Sequence, residues 1–328
     1  MKKILVIRFS SIGDILLTTP VLRCLNRQLG AEVHYLTKAP FAELVQHNPH
    51  VQKVHAIEKL DAQLLSELRS EGYDAVVDLH KNFRSFRVTT ALRKRAYRLN
   101  KLNFRKWLLV NFKWDRLPRI SIVQRYLEAL APLGVKDDGL GLDFYFPKEL
   151  PSLPLTLPER YVAFAIGAAH QTKRLPFGKM LEILEKTEGD VLLIGGPSEK
   201  KEGEALAAAL PGGRVKNLCG RLSLTQSAMV IQGARVVLTP DTGMMHLAAA
   251  LQKEVVSVWG NTVPAFGMFP YFGKNINRST IFEVEGLPCR PCSKIGFSKC
   301  PKGHFKCMNL QPTDLIARTV NQAVNHSG

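Results

Sequence analysis

The chain contains 328 residues, of which 45% are hydrophobic and 22% charged, a composition typical of a globular protein large enough for two domains. Lys and Arg outnumber Asp and Glu by 45 to 28, which gives a formal net charge of +17 at pH 7. Since no apolar run reaches transmembrane length and no secretory signal is recognisable, we expect a cytoplasmic protein.

The first half of the chain alternates strand-like apolar runs with stretches of helical periodicity. This β-α-β-α order predicts a parallel sheet covered by helices. The strands are predicted at residues 4–9, 32–37, 51–57 and 74–79, and the helices at residues 15–29, 41–46 and 60–70.

Most of the positive charge lies in one segment, residues 81–125. This segment contains fourteen Lys or Arg residues and a single acid, Asp115, so it supplies +13 of the net charge. Such a density favours a polyanionic partner, which can be a nucleic acid, an anionic membrane or a phosphorylated substrate. A solvated basic face is the alternative, and charge alone does not choose among these four.

A proline-rich interval follows, and the same rhythm then restarts. The prolines, which are typical of a linker, are Pro147, Pro151, Pro154 and Pro158. Strands are predicted at residues 161–166, 190–194, 215–217, 234–238 and 255–259, and helices at 176–187, 199–210, 224–232, 247–251 and 313–324. We therefore predict an α/β fold with two Rossmann-like, doubly wound parallel-sheet domains, 1–150 and 158–328, facing a ligand-binding crevice.

The loop Ser10-Ser11-Ile12-Gly13-Asp14 follows the first predicted strand directly. Asp14 therefore lies at a carboxyl strand end, where ligands bind in this class of fold. A carboxylate in that place can accept a proton from an attacking hydroxyl. The alternative is that Asp14 caps the helix that begins at Ile15.

A second loop, Thr239-Pro240-Asp241-Thr242-Gly243, lies between a buried strand pattern and a helical run. A helix start presents unpaired backbone N–H groups and the positive end of the helix dipole, so it suits a phosphate. His246 lies one turn later, on the same helix face as Thr242. The alternative is an ordinary helix cap with a tight turn.

Two further strand ends of the second half carry polar groups. Lys173 and Arg174 follow the strand that ends at Ile166, and two cations there can neutralise a diphosphate leaving group. Gly195-Gly196-Pro197-Ser198-Glu199 ends the next strand, and Glu199 either binds a ribose hydroxyl or caps its own helix. Because three strand ends of one domain combine Gly-rich turns, cations and carboxylates, they predict a nucleotide-diphosphate pocket.

Several common nucleotide motifs are missing from the sequence. We find no Gly-x-Gly-x-x-Gly fingerprint, no Walker A sequence and no Asp-x-Asp pair. Redox chemistry on a dinucleotide and P-loop hydrolysis are therefore disfavoured.

Four of the six cysteines fall within nineteen residues near the carboxyl terminus: Cys289, Cys292, Cys300 and Cys307. Disulfides are not expected in a cytosolic protein. The first pair has zinc-ligand spacing, and four thiolates can complete a tetrahedral structural zinc site. His304 is an alternative ligand, and free thiols or an oxidation-sensitive loop are the competing interpretations.

The loop that contains Asp14, with its strand Ile4-Leu5-Val6-Ile7-Arg8-Phe9, and the later Pro240-Asp241-Thr242-Gly243-x-x-His246 together resemble glycosyltransferase family 9. That family includes the ADP-heptose:lipopolysaccharide heptosyltransferases. The resemblance covers nearly the whole chain and implies a GT-B fold, with the acceptor bound to the first domain and an ADP-sugar to the second. It implies inverting transfer with no metal or other cofactor required for catalysis.

The resemblance also implies roles for individual residues. Asp14 matches the proposed general base, Lys173 the lysine that contacts the donor phosphates, and Glu199 a donor-contacting acid. The loop that holds the diphosphate and the sugar matches Asp241, Thr242, Gly243 and His246. Met244 and Met245 lie in that loop and fit a core role better than an adenine contact. Ala168 and Ala169 depart from the family, because better-known members carry hydroxyl residues there, and this departure puts the donor in doubt.

The acceptor that the resemblance implies is an anionic, membrane-embedded lipopolysaccharide core. Acceptor binding is expected at Ser11, Gly13, Arg84 and Arg87, since Arg side chains can bind carboxylates or phosphates bidentately. Farther along the basic segment, cations interleave with Phe104, Trp107, Phe112 and Trp114. This mixture suits the inner surface of the cytoplasmic membrane, although the rings can equally be core residues of an amphipathic helix.

Two other functions remain open. One is a related transferase that uses another nucleotide sugar. The other is a basic protein that binds nucleic acid or membrane. No recognition-helix signature supports nucleic-acid binding, so we expect no nucleic-acid partner.

Overall fold

The apolar run at the start of the chain forms the central strand of a parallel sheet. Strand β1 (Lys3–Ile7) pairs with β2 (Glu32–Lys38) on one side and with β4 (Ala75–Asp78) on the other. Strands β3 (Lys53–Ile57) and β5 (Arg95–Arg98) complete the order β3-β2-β1-β4-β5. All these pairs are parallel, as predicted.

Most helices of this sheet lie between its strands in the chain, and one follows the last strand. They are α1 (Ile12–Leu16), α2 (Thr19–Leu29), α3 (Ala62–Ser70), α4 (Phe83–Leu92) and, after an excursion of the chain, α6 (Ile122–Glu128). The helix predicted at residues 15–29 begins earlier and is interrupted after Leu16. The Thr18 and Thr19 hydroxyls donate to the carbonyls of Ile15 and Leu16 at the interruption.

The second half of the chain builds a second parallel sheet, in the order β11-β10-β9-β6-β7-β8. Its strands are β6 (Tyr161–Ala165), β7 (Asp190–Ile194), β8 (Val215–Asn217), β9 (Val236–Pro240), β10 (Glu254–Trp259) and β11 (Ser279–Glu283). Its helices are α7 (Phe177–Lys186), α8 (Lys200–Ala208), α9 (Leu224–Gly233), α10 (Gly243–Ala250), α11 (Lys306–Asn309) and α12 (Thr313–Asn325). Helix α5 (Asn103–Phe112) comes earlier in the chain, between β5 and α6. The α/β prediction with two parallel sheets is confirmed.

The computed structural model describes residues 2–274 and 278–325, which form two compact units. The first unit takes the described parts of 1–101, 120–148 and 271–275, and the second takes those of 102–119, 149–270 and 276–328. The predicted first domain, 1–150, included residues 102–119, which group with the second unit. Leu109 and Leu117 of this stretch pack against Phe266 in a small apolar cluster.

Each unit has its own apolar core beneath its sheet. The first core contains Leu5 and Ile7 of β1 with Leu36 of β2, and the second contains Phe164 of β6 with Leu238 of β9. Within the described residues, no helix is both long and apolar enough to cross a bilayer. The two cores fix the strand ends, where the candidate site residues lie.

Candidate active site

In the first unit, a salt bridge closes the loop after β1. The Nη2 atom of Arg8 lies 2.6 Å from Oδ1 of Asp14. The other oxygen of that carboxylate, Oδ2, accepts from the Ser11 hydroxyl at 2.9 Å. Arg8 is itself held in place by donating to the carbonyls of Ser10 and Leu79 at 2.8 and 2.6 Å. The loop therefore presents a carboxylate in a fixed orientation.

Asp14 is the third residue of α1, and Ser11 is the N-cap, so Asp14 is not the cap of a helix at Ile15. The two residues form a capping box, in which the carboxylate reaches back to the Ser11 backbone N–H at 3.3 Å. Asp14 thus has a structural role, while its side chain keeps 26% of its surface exposed. Exposure leaves the carboxylate accessible to a substrate.

The pKa of Asp14 results from two opposed effects. Burial raises it, but the positive charge of Arg8 and the hydrogen bonds from Ser11 outweigh burial, so the pKa lies below its usual 3.8. Asp14 is therefore ionised at neutral pH and can accept a proton.

His80, which was not predicted as a site residue, and Lys101, which was predicted only as one of the cations of the basic segment, lie close to this carboxylate. His80 follows β4, the strand next to β1, and its Nδ1 accepts from the backbone N–H of Phe9 at 3.4 Å. Burial, with the nearby charges of Arg8 and Lys101, lowers the pKa of His80 to about 4, so the ring is neutral at pH 7. The position of His80 at a carboxyl strand end was the sequence signal that could have found it.

The predicted acceptor residues differ in exposure. Ser11 is exposed, and Gly13 is buried within α1. Arg84 and Arg87 are both exposed on α4, which begins at the Asn82 cap directly after the β4 loop. Arg84 is close enough to His80 to help lower the pKa of that ring. The carboxyl edge of the first sheet therefore combines the carboxylates of Asp14 and Asp78 with a larger number of cations, an arrangement suited to an anionic ligand.

In the second unit, α10 begins directly after β9, as predicted. Thr242 is its N-cap and makes no side-chain capping hydrogen bond, and Gly243 is the first helical residue. The first backbone N–H groups of a helix have no partner within that helix, and here the cap residue's hydroxyl does not occupy them. This start retains both features that bind a phosphate, the amides and the dipole.

Lys173 lies next to the same loop. Its Nζ atom is 2.6 Å from Oδ2 of Asp241, and that oxygen also accepts from the Thr262 hydroxyl at 2.8 Å. The Lys173 and Asp241 side chains are only 17% and 9% exposed. Asp241 therefore orients the Lys173 ammonium group beside the start of α10, and the two residues act as a pair in the candidate site.

Glu199 is 4% exposed and is held from three sides. Arg174 forms an ion pair with it, the Ser198 hydroxyl donates to Oε1 at 2.5 Å, and the Gly196 backbone N–H donates to Oε2 at 2.8 Å. A Cβ atom on Gly167 would lie only 2.7 Å from Oε2, so Glu199 requires a glycine at that position. The carboxylate is thus fixed across the β6 and β7 strand ends.

The remaining residues of the α10 loop differ in how deeply they are buried. His246 is 3% exposed and Met245 is fully buried, whereas Met244 is partly exposed. The core role that was favoured for the methionines therefore describes Met245.

The four clustered cysteines lie in the second unit as free thiols. Cys289 Sγ is 3.9 Å from Nε2 of His304, and Cys292 donates to the Cys289 carbonyl at 3.0 Å. Across residues 2–274 and 278–325, however, Cys289, Cys292, Cys300 and Cys307 supply no three ligand atoms within 4.8 Å of one another. The thiols in this arrangement do not form a closed metal site, and the zinc site stays a prediction.

A different group does bring three ligand atoms within 4.8 Å of one another: His34, His55 and Glu71 of the first unit. Both rings, however, hydrogen bond to the hydroxyl of Tyr73, at 2.9 and 2.8 Å. Glu71 forms ion pairs with Lys3 and Lys53. Because two ammonium groups already neutralise the carboxylate, we interpret the group as a polar network at the amino end of the sheet.

Comparison with known proteins identifies the family. The model of glycosyltransferase family 9 (heptosyltransferase) matches residues 62–297. The chain is 28% identical to the lipopolysaccharide heptosyltransferase 1 of Pseudomonas aeruginosa, over 89% of this chain and 86% of that protein.

Solved structures agree at the level of the fold. The E. coli ADP-heptose lps heptosyltransferase II matches with a TM-score of 0.70 and 21% identity, over 99% of this chain and 98% of that one. The E. coli heptosyltransferase WaaC with ADP matches with a TM-score of 0.69 and 22% identity, over 98% and 99%. These likenesses confirm the predicted GT-B fold with its two Rossmann-like domains.

Proposed function

The chain belongs to glycosyltransferase family 9, a heptosyltransferase family of lipopolysaccharide biosynthesis, and from that premise we propose that it transfers heptose from ADP-heptose to a sugar hydroxyl of the lipopolysaccharide inner core. One observation carries the proposal: the Lys173–Asp241 pair lies beside the uncapped start of α10. A lysine next to free helix amides is the chemistry that a departing nucleoside diphosphate needs.

The donor binds to the second unit in this proposal. Thr242 and the amides near Gly243 contact the diphosphate, and Lys173 neutralises its charge. His246 contributes from the next turn of α10 toward the sugar. Glu199, fixed by Arg174, accepts hydrogen bonds from the ribose hydroxyls. Each positioned donor to the developing charge is worth about 2.7–4 kcal/mol of transition-state stabilisation, by analogy with oxyanion holes.

The base acts from the first unit. A bond forms between the acceptor hydroxyl oxygen and the anomeric carbon, while the bond from that carbon to the diphosphate oxygen breaks on the opposite face. The hydroxyl proton passes to Asp14, and the electron pair of the broken bond leaves with ADP. The anomeric configuration inverts, and the residues named here supply the reaction without a catalytic metal.

The acceptor binds where cations surround Asp14. Ser11 and Gly13 shape the loop, while Arg84 and Arg87 contact acidic groups of the lipopolysaccharide core, with Lys101 adding charge close to Arg8. The positive potential of this edge supports an anionic acceptor over a neutral one. The enzyme then works on the cytoplasmic side, as a peripheral protein at the membrane that carries its acceptor.

A related transferase with another nucleotide sugar is the second candidate. Ala168 is buried and Ala169 exposed, and neither offers a hydroxyl to a phosphate. The carbonyl of Ala168 accepts instead from Nε of Arg174 at 3.1 Å, which links this turn to Glu199. Because of this local difference, the identity of the nucleotide sugar has to be tested directly.

A thermal-shift panel tests the donor. Wild-type protein is heated with ADP, UDP, GDP, dTDP or CDP, beside Asp241→Ala and, as a matched control, Asp314→Ala, whose carboxylate pairs with Lys186 on the surface. We expect ADP alone, at about one hundred times its Kd, to raise the Tm by about 5 °C. The shift should be lost in Asp241→Ala and kept in Asp314→Ala. A rise in Tm with another nucleotide instead of ADP would show that the donor is not ADP-heptose.

A further inference from the structure

Four aromatic side chains form a continuous exposed surface on and after α5. Phe104, Trp107, Phe112 and Trp114 are 70%, 47%, 52% and 62% exposed. Consecutive rings are in contact, with centroids 6.1, 5.2 and 5.7 Å apart. We call these four residues the aromatic surface. An exposed apolar patch of neighbouring rings marks an interaction site more often than scattered single rings do.

The opposite face of the same segment is packed against the second unit. Leu109 and Leu117 are buried with Phe266, and Nζ of Lys106 lies 5.6 Å from the Phe266 ring centroid. Lys113 donates from its ammonium group to the carbonyl of Pro291 at 2.9 Å. The segment is therefore held in place by its inner side chains, and the aromatic surface is not the core of the helix.

Positive charge surrounds the aromatic surface. Residues 102–119 contain five basic side chains and one acidic side chain, Asp115, which already pairs with Arg119 at 2.7 Å. Arg105 and Arg116 are exposed beside the rings. Two amphipathic indoles and two apolar phenyl rings, with arginines next to them, have the composition of a membrane-interface element.

We propose that the aromatic surface docks the protein on an anionic phospholipid bilayer, with the rings entering the headgroup region. Arg105 and Arg116 would contact lipid phosphates, each adding to the attraction. A second copy of this chain is a poorer occupant, because a symmetric contact would bring the same cations of both copies together. The proposal deepens the membrane location proposed above, but it does not depend on heptose transfer.

The chain carries its own reporters for this test. It has three tryptophans, of which Trp107 and Trp114 belong to the aromatic surface and Trp259 is fully buried. When the full-length protein is added to phosphatidylglycerol/phosphatidylcholine vesicles, the emission of the two exposed indoles should shift to the blue. Lipids brominated near the headgroup should quench that emission, whereas Trp259 should not respond. No donor or acceptor is present, so the outcome is separate from catalysis.

Sedimentation with the same vesicles tests the individual residues. Trp107→Ala/Trp114→Ala and Phe104→Ser/Phe112→Ser should each weaken binding by about tenfold or more, and the second variant keeps both reporters. Arg105→Ala/Arg116→Ala should weaken it by about thirtyfold. Leu150→Ala/Leu315→Ala, which removes two exposed apolar side chains elsewhere, is the matched control, and Lys200→Ala/Lys201→Ala is the control for charge. Both control variants should bind like wild type.

Two results would overturn the proposal. One is equal sedimentation of wild type and both aromatic variants, with no quenching by brominated lipid. The other is a concentration-dependent dimer that is lost in the aromatic variants while no variant changes vesicle binding. All variants should unfold at the wild-type Tm, since the substituted side chains are exposed, and this is checked before the vesicles are used.

Discussion

The guanidinium of Arg8, the residue after the central strand of the first sheet, lies 2.6 Å from the carboxylate of Asp14 in the first turn of α1. This contact holds the carboxylate in a capping box with Ser11 and lowers its pKa. The same Asp14 side chain thus stabilises the start of α1 and is ionised, so it can accept a proton. A mutation can therefore test the proposed role as a base separately from the role in the capping box.

Asp14→Asn should abolish most of the turnover while keeping the fold. The amide can still accept from the Ser11 hydroxyl, but it cannot take a proton from the acceptor. General-base catalysis typically contributes a factor of 10² to 10⁴, so we expect kcat to fall by about that factor. The Kd for ADP should stay unchanged, because the proposed donor site lies in the second unit. Release of ADP and isothermal calorimetry measure the two quantities.

Asp61→Ala is the matched control for this variant. Asp61 is also an acid at a helix start, where its side chain accepts from the Leu64 N–H. Its removal should cost about 1 kcal/mol of stability and leave kcat unchanged. Normal turnover by Asp14→Asn would show that another group is the base.

In the proposed mechanism, the Arg8 charge sets the acidic limit of activity. Burial raises the Asp14 pKa, and the Arg8 charge together with the hydrogen bonds from Ser11 outweighs burial, so the wild-type pKa lies below its usual 3.8. Arg8→Gln removes the charge and keeps the Ser11 hydrogen bonds, so the Asp14 pKa should rise. The acidic limb of the kcat profile, where protonated Asp14 is inactive, should therefore move to higher pH.

The pH experiment compares this variant with Arg119→Gln, which loses a surface pair with Asp115. That control should keep the wild-type profile of kcat between about pH 4 and about pH 8, the range over which the folded protein is expected to be stable. An acidic limb that is the same in Arg8→Gln and wild type would contradict the role of Asp14.

Gly167→Ala should damage the proposed donor site without adding a polar group. The new Cβ atom would approach Oε2 of Glu199 to 2.7 Å and displace a carboxylate that Arg174, Ser198 and Gly196 hold. We expect a loss of about 1–3 kcal/mol in stability and a Kd for ADP raised about tenfold. Denaturant unfolding and calorimetry measure both.

Gly178→Ala is the control for that substitution. Gly178 lies in α7, and no atom lies within 4 Å of its added Cβ. Alanine in a helix should raise stability by about 0.5–1 kcal/mol and leave ADP binding unchanged. Equal ADP affinity in the Gly167→Ala and Gly178→Ala variants would show that Glu199 does not belong to the donor site.

Metal content distinguishes the two titratable clusters. The spacing of the cysteines predicts about one equivalent of zinc per chain, lost in Cys289→Ser/Cys292→Ser. His34→Ala/His55→Ala should leave the metal content unchanged, since we interpret that group as a polar network. Elemental analysis of protein purified without chelator gives the answer. Less than about a tenth of an equivalent in wild type would mean that the cysteines are free thiols.

Features of the fold that depend on local pattern could be predicted from the sequence. The alternation of apolar strands and periodic helices, and the two loops at Asp14 and Asp241, are local, and the structure contains both. Helices α4 and α5 and strand β5 were not predicted, because frequent cations in residues 81–125 obscure the apolar period there.

Contacts between distant residues could not be read from the chain. The strand-end positions of Lys173, Asp241 and His80 are local signals, but neither the ion pair of Lys173 with Asp241 nor the hydrogen bond of His80 to Phe9 is visible in the sequence. The exposure of Trp107 and Trp114 was also open, because the same helical spacing fits rings that face inward or outward. Only the packing of Leu109 on Phe266 decides which face is outside.

Direct transfer is the most decisive measurement. Purified protein is incubated with ADP-heptose and an inner-core lipopolysaccharide acceptor that lacks the heptose, and the acceptor mass is followed by mass spectrometry. We predict an increase of one heptosyl residue with wild type, and a rate lower by a factor of about 10² to 10⁴ with Asp14→Asn. No mass increase with ADP-heptose, while another nucleotide sugar is transferred under the same conditions, would contradict the proposed function.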